Sequence, residues 1–334
     1  MRAMVLPAQA PISERPLQRG RLPIPEPDRG EVLLIVTACA ICRTDLHIAE
    51  GDLPLPRASL VPGHQVVGRV LRGGQGAGGM LPGTRVGVGW LRRTCGTCAY
   101  CTSGRENLCA GAEFTGYHAD GGYAEYAVAP QSYVYPLPSI FSDAEAAPLL
   151  CAGIIGYRAL KIAAVAPGGT LGVYGFGSSA HITLQIAVAR GCTVYVCTRE
   201  PAHRELARAL GAAWVGESND RMPTPADGIV VFAPAGDLVP RALRNLAPGG
   251  TVALAGIHMS AIPALAYGDL YHERAIRSVT ASTRVDGAEL LAEAARIPIR
   301  PTIVRFPLED ANHALAQLKT GRLTGTGVLV PSSV

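Results

Sequence analysis

Leu171-Gly172-Val173-Tyr174-Gly175-Phe176-Gly177-Ser178-Ser179-Ala180 is the stretch on which the fold turns. Strand-like residues run straight into the pattern G-x-G-x-x-A. Gly175 permits a tight turn, Gly177 lets the backbone approach a pyrophosphate, and Ala180 keeps the next helix close to the strand. The free amides and positive end of that helix suit a diphosphate. In a Gly-rich chain the same letters can mark a plain turn. Their position between a strand and a helical run points to a dinucleotide loop made of Gly175, Phe176, Gly177, Ser178, Ser179 and Ala180.

Outward from that loop the alternation continues. Thr170 to Tyr174 reads as a strand, Ser179 to Arg190 as a helix, Thr193 to Cys197 as a strand and Pro201 to Leu210 as a helix. Gly228 to Phe232, Val239 to Leu246 and Thr251 to Ala255 extend the series. Such alternation predicts parallel crossovers and a doubly wound sheet. Helices are expected at Gly287 to Arg296 and at Leu308 to Lys319, leading the chain back to its first half.

The strand Val194 to Cys197 is followed by Thr198-Arg199, where an acid would stand for NAD. A hydroxyl followed by a guanidinium suits a 2′-phosphate better, so NADP(H) is expected over NAD(H). Glu200 argues the other way, and Arg199 also fits a plain solvated position.

The first 150 or so residues read differently. Short apolar runs (Val32 to Val36, Val66 to Val70, Thr84 to Val88, Tyr123 to Val128) are separated by Pro-Gly and Gly-Gly turns, as in an irregular, mostly antiparallel β domain. Nine cysteines are an odd count, and Cys95, Cys98, Cys101 and Cys109 crowd together as C-x2-C-x2-C-x7-C. Four thiolates so spaced can cage a zinc ion. An iron–sulfur cluster is the rival, but the fourth cysteine lies farther off than in ferredoxins and Ala110 follows it, not proline. A closed four-sulfur site has no open position, so it is expected to stabilise a lobe and do no chemistry.

The 334 residues are 48% hydrophobic and 17% charged, with a net charge of +4, and suffice for two domains. No basic run marks a nucleic-acid partner, no apolar stretch is long enough for a membrane span, and no secretory leader is evident, so a cytoplasmic protein is expected.

Two further segments, Cys39-Ala40-Ile41-Cys42-Arg43-Thr44-Asp45-Leu46-His47 and Pro62-Gly63-His64-Gln65-Val66-Val67-Gly68, would not make a metal site by spacing alone. Together with the cysteine lobe, with Leu149-Leu150-Cys151-Ala152-Gly153 and with the glycine loop, in that order, they resemble the zinc-dependent alcohol dehydrogenases of the medium-chain dehydrogenase/reductase family. The resemblance covers essentially the whole chain. It implies a GroES-like β-rich catalytic domain over 1–152 and 285–334, with the zinc lobe at about 92–110, and a Rossmann cofactor domain over 153–284.

The resemblance also implies two zinc ions per chain, one of them catalytic and held by Cys42, His64 and Cys151, with an open position for the alcohol oxygen. Thr44 is implied to accept the substrate proton, and His47 to be the outer end of a relay that runs through the cofactor ribose to solvent. Asp45 orients His64 by accepting its free N–H. Arg43 meets the diphosphate, and Trp90 walls the substrate pocket. Ala233, Gly256, Ile257, Ala281 and Ser282 are expected along the nicotinamide edge. Cys39 falls three residues early for the motif and reads as core. A dimer or tetramer acting on small alcohols, aldehydes or ketones is implied.

The chain departs from the family at three places. Gln65 replaces the acid after the ligand histidine, Ile155 a threonine near the nicotinamide, and Thr326 an arginine that meets the diphosphate; Arg43 and Arg284 are the candidates to compensate. A polyol dehydrogenase of the same family, and a catalytically inert zinc-stabilised binding protein, are the competing expectations.

Overall fold

In the computed structural model, which describes residues 1–297 and 299–331, the strand–helix alternation closes into one six-stranded sheet with every neighbouring pair parallel. Its strands are Thr170–Tyr174, Thr193–Cys197, Trp214–Gly216, Ala226–Val231, Leu246–Leu254 and Ala275–Ser278. Counted in chain order, they lie 3-2-1-4-5-6 across the sheet. The order reverses between Thr170–Tyr174 and Ala226–Val231, the switch point where doubly wound sheets open a crevice at the strands' carboxyl ends. Leu246–Leu254 starts earlier than its apolar run suggests, because Ala226 pairs with Leu246 across a register shift before Gly228 pairs with Thr251. The core of this unit gathers Tyr174, Ile229, Val231, Val239, Leu243 and Val252.

By contacts the chain divides into Met1–Cys151 with Ala281–Ala295 and Pro301–Val334, and Ala152–Thr280 with Arg296–Arg300. The first unit is built on a seven-stranded sheet around Glu31–Ala40, which is almost wholly buried and pairs antiparallel with Val66–Gly73 and Tyr126–Pro130. Among the described strands of this sheet, the pair from beyond the first 150 residues is not antiparallel. Ile303–Pro307 and Thr326–Val330 run parallel, because the helix Ala311–Lys319 carries the chain back over the sheet between them. The expected last helix is therefore split, Leu308–Asp310 forming a 3-10 turn before Ala311. Thr326–Val330 then lies antiparallel against Glu31–Ala40, with Val328 opposite Ala40 and Leu329 opposite Cys39. Among the described residues no single helix is long and apolar enough to cross a bilayer.

Within the second unit, helices Ala152–Ala163 and Ser178–Ala189 touch at Gly156. A Cβ there would stand 2.0 Å from Thr183 Oγ1, which itself donates to Ser179 O at 2.7 Å. Gly156→Ala is expected to lower stability by about 1–3 kcal/mol through overpacking. Adding Thr183→Ala should recover part of the loss, read as urea midpoints of the two variants.

His181, on the same helix, is fully buried, and burial pulls its pKa down to about 4 despite its contact with Gly177 O. The unfolded chain, with a histidine near pH 6.5, binds the extra proton first, so this contribution is intact above pH 6.5 and is lost as pH falls towards 4. A change of up to about 3 kcal/mol across that window is expected. Chemical denaturation at a series of pH values should show a shallower slope for His181→Asn.

Candidate active site

The segment Cys42 to Glu50 shows how one carboxylate organises a site. Cys42 is the N-cap of the helix Arg43–Glu50, and its amide donates to Asp45 Oδ2 at 2.8 Å. The helix begins there because an acid in its first turn satisfies an otherwise orphaned N–H and complements the helix dipole. The same Oδ2 accepts the hydroxyl of Tyr123 at 2.9 Å. Oδ1 lies 3.0 Å from His64 Nδ1, close enough for strong attraction though not aligned as a hydrogen bond. Asp45, His64 and Tyr123 are all fully buried.

These contacts bring distant segments together. Val61 O, Pro62 O and Gly63 O accept from Gly121, Tyr123 and Gly122, so the histidine-bearing loop and the 121–123 segment zip together. Gly63 is left-handed at φ 98°, and a Cβ there would sit 2.4 Å from the Tyr123 ring. Gly121 leaves no more room, since its Cβ would come within 2.0 Å of Gly63 O.

Cys42, His64 and Cys151 thereby converge, their ligand atoms all within 4.8 Å of one another. His64 Nε2 is buried and has no hydrogen-bond partner among the described residues. A buried imidazole nitrogen left over between two sulfurs fits a metal-ligand role and fits poorly as packing. The electrostatics agree. A hydrogen bond from Cys151 and the nearness of His64 hold the Cys42 thiol well below its usual range against the cost of burial. Burial alone would pull His64 down, yet Asp45 and Cys42 hold it at about 10. The pocket is thus negative enough to draw in positive charge, which a zinc ion would bring. Cys39 is buried and outside this cluster.

Around the triad, Thr44 Oγ1 lies 3.6 Å from Cys42 Sγ. Thr44 and His47 are three residues apart on one helix, hence on one face. His47 Nδ1 meets Asp52 Oδ2 at 2.7 Å. Trp90 packs edge-on to His64 at 4.8 Å and stacks on Phe114. Arg43 is exposed at the helix start. Gln65 donates to Ile41 O at 3.2 Å. A carboxylate could not make that bond, which gives the amide at this position a physical reason.

The cysteine lobe forms a second cluster, all four sulfurs within 4.8 Å of one another. Cys95–Cys101, Cys98–Cys101 and Cys95–Cys109 sulfurs stand 3.8, 3.6 and 3.5 Å apart. A tetrahedron with zinc–sulfur bonds of about 2.3 Å has edges of about 3.8 Å. Left-handed Gly96 and Gly104 turn the loop around that centre. Backbone amides of Thr97 and Cys98, followed by Cys109, lower the Cys95 thiol to about 6, favouring the thiolate a metal requires. Arg284, a candidate to meet a diphosphate, is instead held by Glu106, which accepts its amide at 2.9 Å, and by the ring of Tyr133.

In the second unit the glycine loop stands at the switch point. Gly175 is left-handed at φ 85° and packs against Ala233 from the neighbouring strand end. Gly177, the N-cap of Ser178–Ala189, faces open space, as a backbone meant to approach a phosphate should. Thr198 is buried and Arg199 exposed at the end of Thr193–Cys197, while Gly256 and Ile257 follow Leu246–Leu254. Ala281, left-handed at φ 47°, and Ser282 instead fall in the first unit, just before the N-cap Thr283. The sequence reading missed Tyr123 and Asp52. Only the Gly121-Gly122-Tyr123 turn hinted at the first, and only an acid soon after His47 at the second.

At the Cys42, His64 and Cys151 cluster, which could hold a metal ion, Tyr123→Phe and Asp45→Asn should each weaken the affinity for added cobalt by about 10–100-fold while leaving that of the four-cysteine cluster unchanged. Competition with a chelator, read site by site with cobalt as the spectroscopic probe, measures this.

Comparison with known proteins agrees with the geometry. Residues 28–139 match the model of the alcohol dehydrogenase GroES-like domain, and residues 180–296 that of the zinc-binding dehydrogenases. A Mycobacterium tuberculosis protein named "probable alcohol dehydrogenase AdhA" is 49% identical over 96% of this chain and 94% of its own length. An alcohol dehydrogenase of Geobacillus stearothermophilus is 35% identical over 91% of this chain and 93% of its own. The solved cinnamyl alcohol dehydrogenase of Sorghum bicolor superposes with a TM-score of 0.90 at 27% identity, covering 98% of this chain and 97% of its own. With its fold and its sequence both matched along nearly their full length, the chain belongs to the zinc-binding alcohol dehydrogenases of the medium-chain dehydrogenase/reductase family, an oxidoreductase that interconverts alcohols and carbonyl compounds with a nicotinamide cofactor.

Proposed function

We propose that Cys42, His64 and Cys151 hold a catalytic zinc and Cys95, Cys98, Cys101 and Cys109 a structural one, and that the enzyme prefers NADP(H). The observation that carries the first part is the convergence of two sulfurs on His64 Nε2, a buried nitrogen with no hydrogen-bond partner among the described residues. When bound, such a zinc supplies a Lewis acid with one open position, and the nicotinamide supplies or takes the hydride.

The chain's own residues do the rest. Asp45 holds the ring of His64 through Nδ1, so that Nε2 is turned to the metal. Thr44 Oγ1, beside Cys42, accepts the proton of the substrate alcohol, and His47 Nε2 is the outer acceptor that hands a proton to solvent. Trp90, anchored on Phe114, bounds the substrate side of His64 and favours apolar substrates over polyols. In the second unit Gly175 to Ala180 take the diphosphate on backbone amides, and Ala233, Gly256 and Ile257 offer backbone groups to the nicotinamide. In the first unit Arg43, Ala281 and Ser282 are the further cofactor-binding residues. Thr198 and Arg199 bind the 2′-phosphate. In this reading residues 1–152 and 285–334 act on substrate, 153–284 hold the cofactor, and the enzyme works in the cytoplasm as a dimer or tetramer.

Absorbance at 340 nm with NADPH or NADH and a panel of aldehydes and ketones tests the reading. Faster turnover with NADPH is expected, and Thr198→Asp should shift kcat/KM about tenfold or more towards NADH. A strong preference of the unmodified enzyme for NADH would refute the cofactor assignment. Elemental analysis should find two zinc ions per chain, and one in Cys101→Ser.

A further inference from the structure

We propose that Asp52 is a positioning residue for proton transfer, one that fixes the tautomer of His47 and stabilises it when protonated. The inference rests on reading His47 as the outer proton acceptor.

The pair is built in, and more than a chance surface contact. The helix Arg43–Glu50 ends at Gly51, left-handed at φ 96°, and the amides of Gly51 and Leu53 both return to His47 O, at 3.1 and 3.2 Å. This reversal brings Asp52 back over the imidazole, with Oδ2 2.7 Å from Nδ1. A distant segment pins the turn, since Gln9 Nε2 donates to Ile48 O and to Leu53 O, both at 2.7 Å. The His47 side chain is 10% exposed and that of Asp52 44%, so the couple runs from protein interior to water.

A carboxylate only accepts hydrogen bonds, so Nδ1 must carry the hydrogen and the neutral ring presents Nε2 as its base. When a proton arrives, an N–H bond forms at Nε2 as the donor O–H breaks, and the imidazolium sits against the Asp52 carboxylate. The Nε2–H bond then breaks to a solvent base and the ring returns to its starting tautomer. Other charges around this helix are engaged elsewhere. Glu50 takes Lys319 Nζ at 2.7 Å and Ile12 N at 2.8 Å, Asp45 is turned to His64 and Tyr123, and Arg43 is exposed at the far end.

The test compares Asp52→Asn, Asp52→Glu, His47→Gln and the double variant Asp52→Asn/His47→Gln as zinc-loaded enzymes, over a range of pH. Asp52→Asn should lower kcat for alcohol oxidation about tenfold near neutral pH with KM little changed. Asp52→Glu should retain most activity, and Asp52→Asn should add nothing once His47 is glutamine. Independently of turnover, 15N spectra should show the Nδ1–H tautomer of His47 in the unmodified protein and a shift towards Nε2–H in Asp52→Asn. An Nε2–H tautomer in the unmodified protein overturns the proposal. So does an unaltered Asp52→Asn profile beside an impaired His47→Gln, which spares the reading of His47. Full activity in His47→Gln overturns that reading as well.

Discussion

The Asp45 carboxylate is the point on which the first unit's chemistry is hung. One oxygen starts a helix through Cys42 N–H and accepts the Tyr123 hydroxyl, and the other faces His64. A single buried charge thus fixes the backbone at Cys42 and the ring of His64, two members of one cluster that could hold a metal. A buried carboxylate needs compensation for its lost hydration, and here two donors meet Oδ2 while the His64 ring stands against Oδ1. Burial raises the Tyr123 hydroxyl far above its usual range, with Asp45 adding to the effect, so the phenol stays a donor.

Around that carboxylate the chain uses the absence of side chains as a structural element. Gly63, Gly116 and Gly121 let backbone lie on backbone behind the ligand histidine, where any Cβ would strike a carbonyl or the Tyr123 ring. The same economy serves the second unit, where Gly175 permits two strand ends to meet and Gly177 leaves a helix terminus bare.

What the sequence disclosed follows from how local each signal is. The parallel sheet was legible because strand and helix periods alternate within short windows, and the cysteine lobe because four ligands fall on one loop. The Cys42, His64 and Cys151 convergence was not readable from spacing, and only likeness to a known family suggested it. Tyr123 lies 78 positions from the carboxylate it serves, and no periodicity links the two. Asp52 is near in sequence, yet its meeting with His47 depends on a left-handed Gly51 and on Gln9 reaching in from another segment. The parallel pairing of Ile303–Pro307 with Thr326–Val330 was hidden for a related reason, since strand-like runs do not announce their direction.

The pairing of Thr326–Val330 beside Glu31–Ala40 bears on biosynthesis. Ile41 N, one residue before Cys42, bonds to Gly327 O. The backbone that presents the Cys42 sulfur is thus braced by a strand translated long after it, at ribosomal speeds a delay of tens of seconds. During that interval the segment around Cys39 can pair with Val66–Gly73 on one side, while the edge that will meet Thr326–Val330 stays open. The four cysteines of the lobe emerge together, whereas the backbone beside Cys42 is complete only when the chain comes back to its beginning.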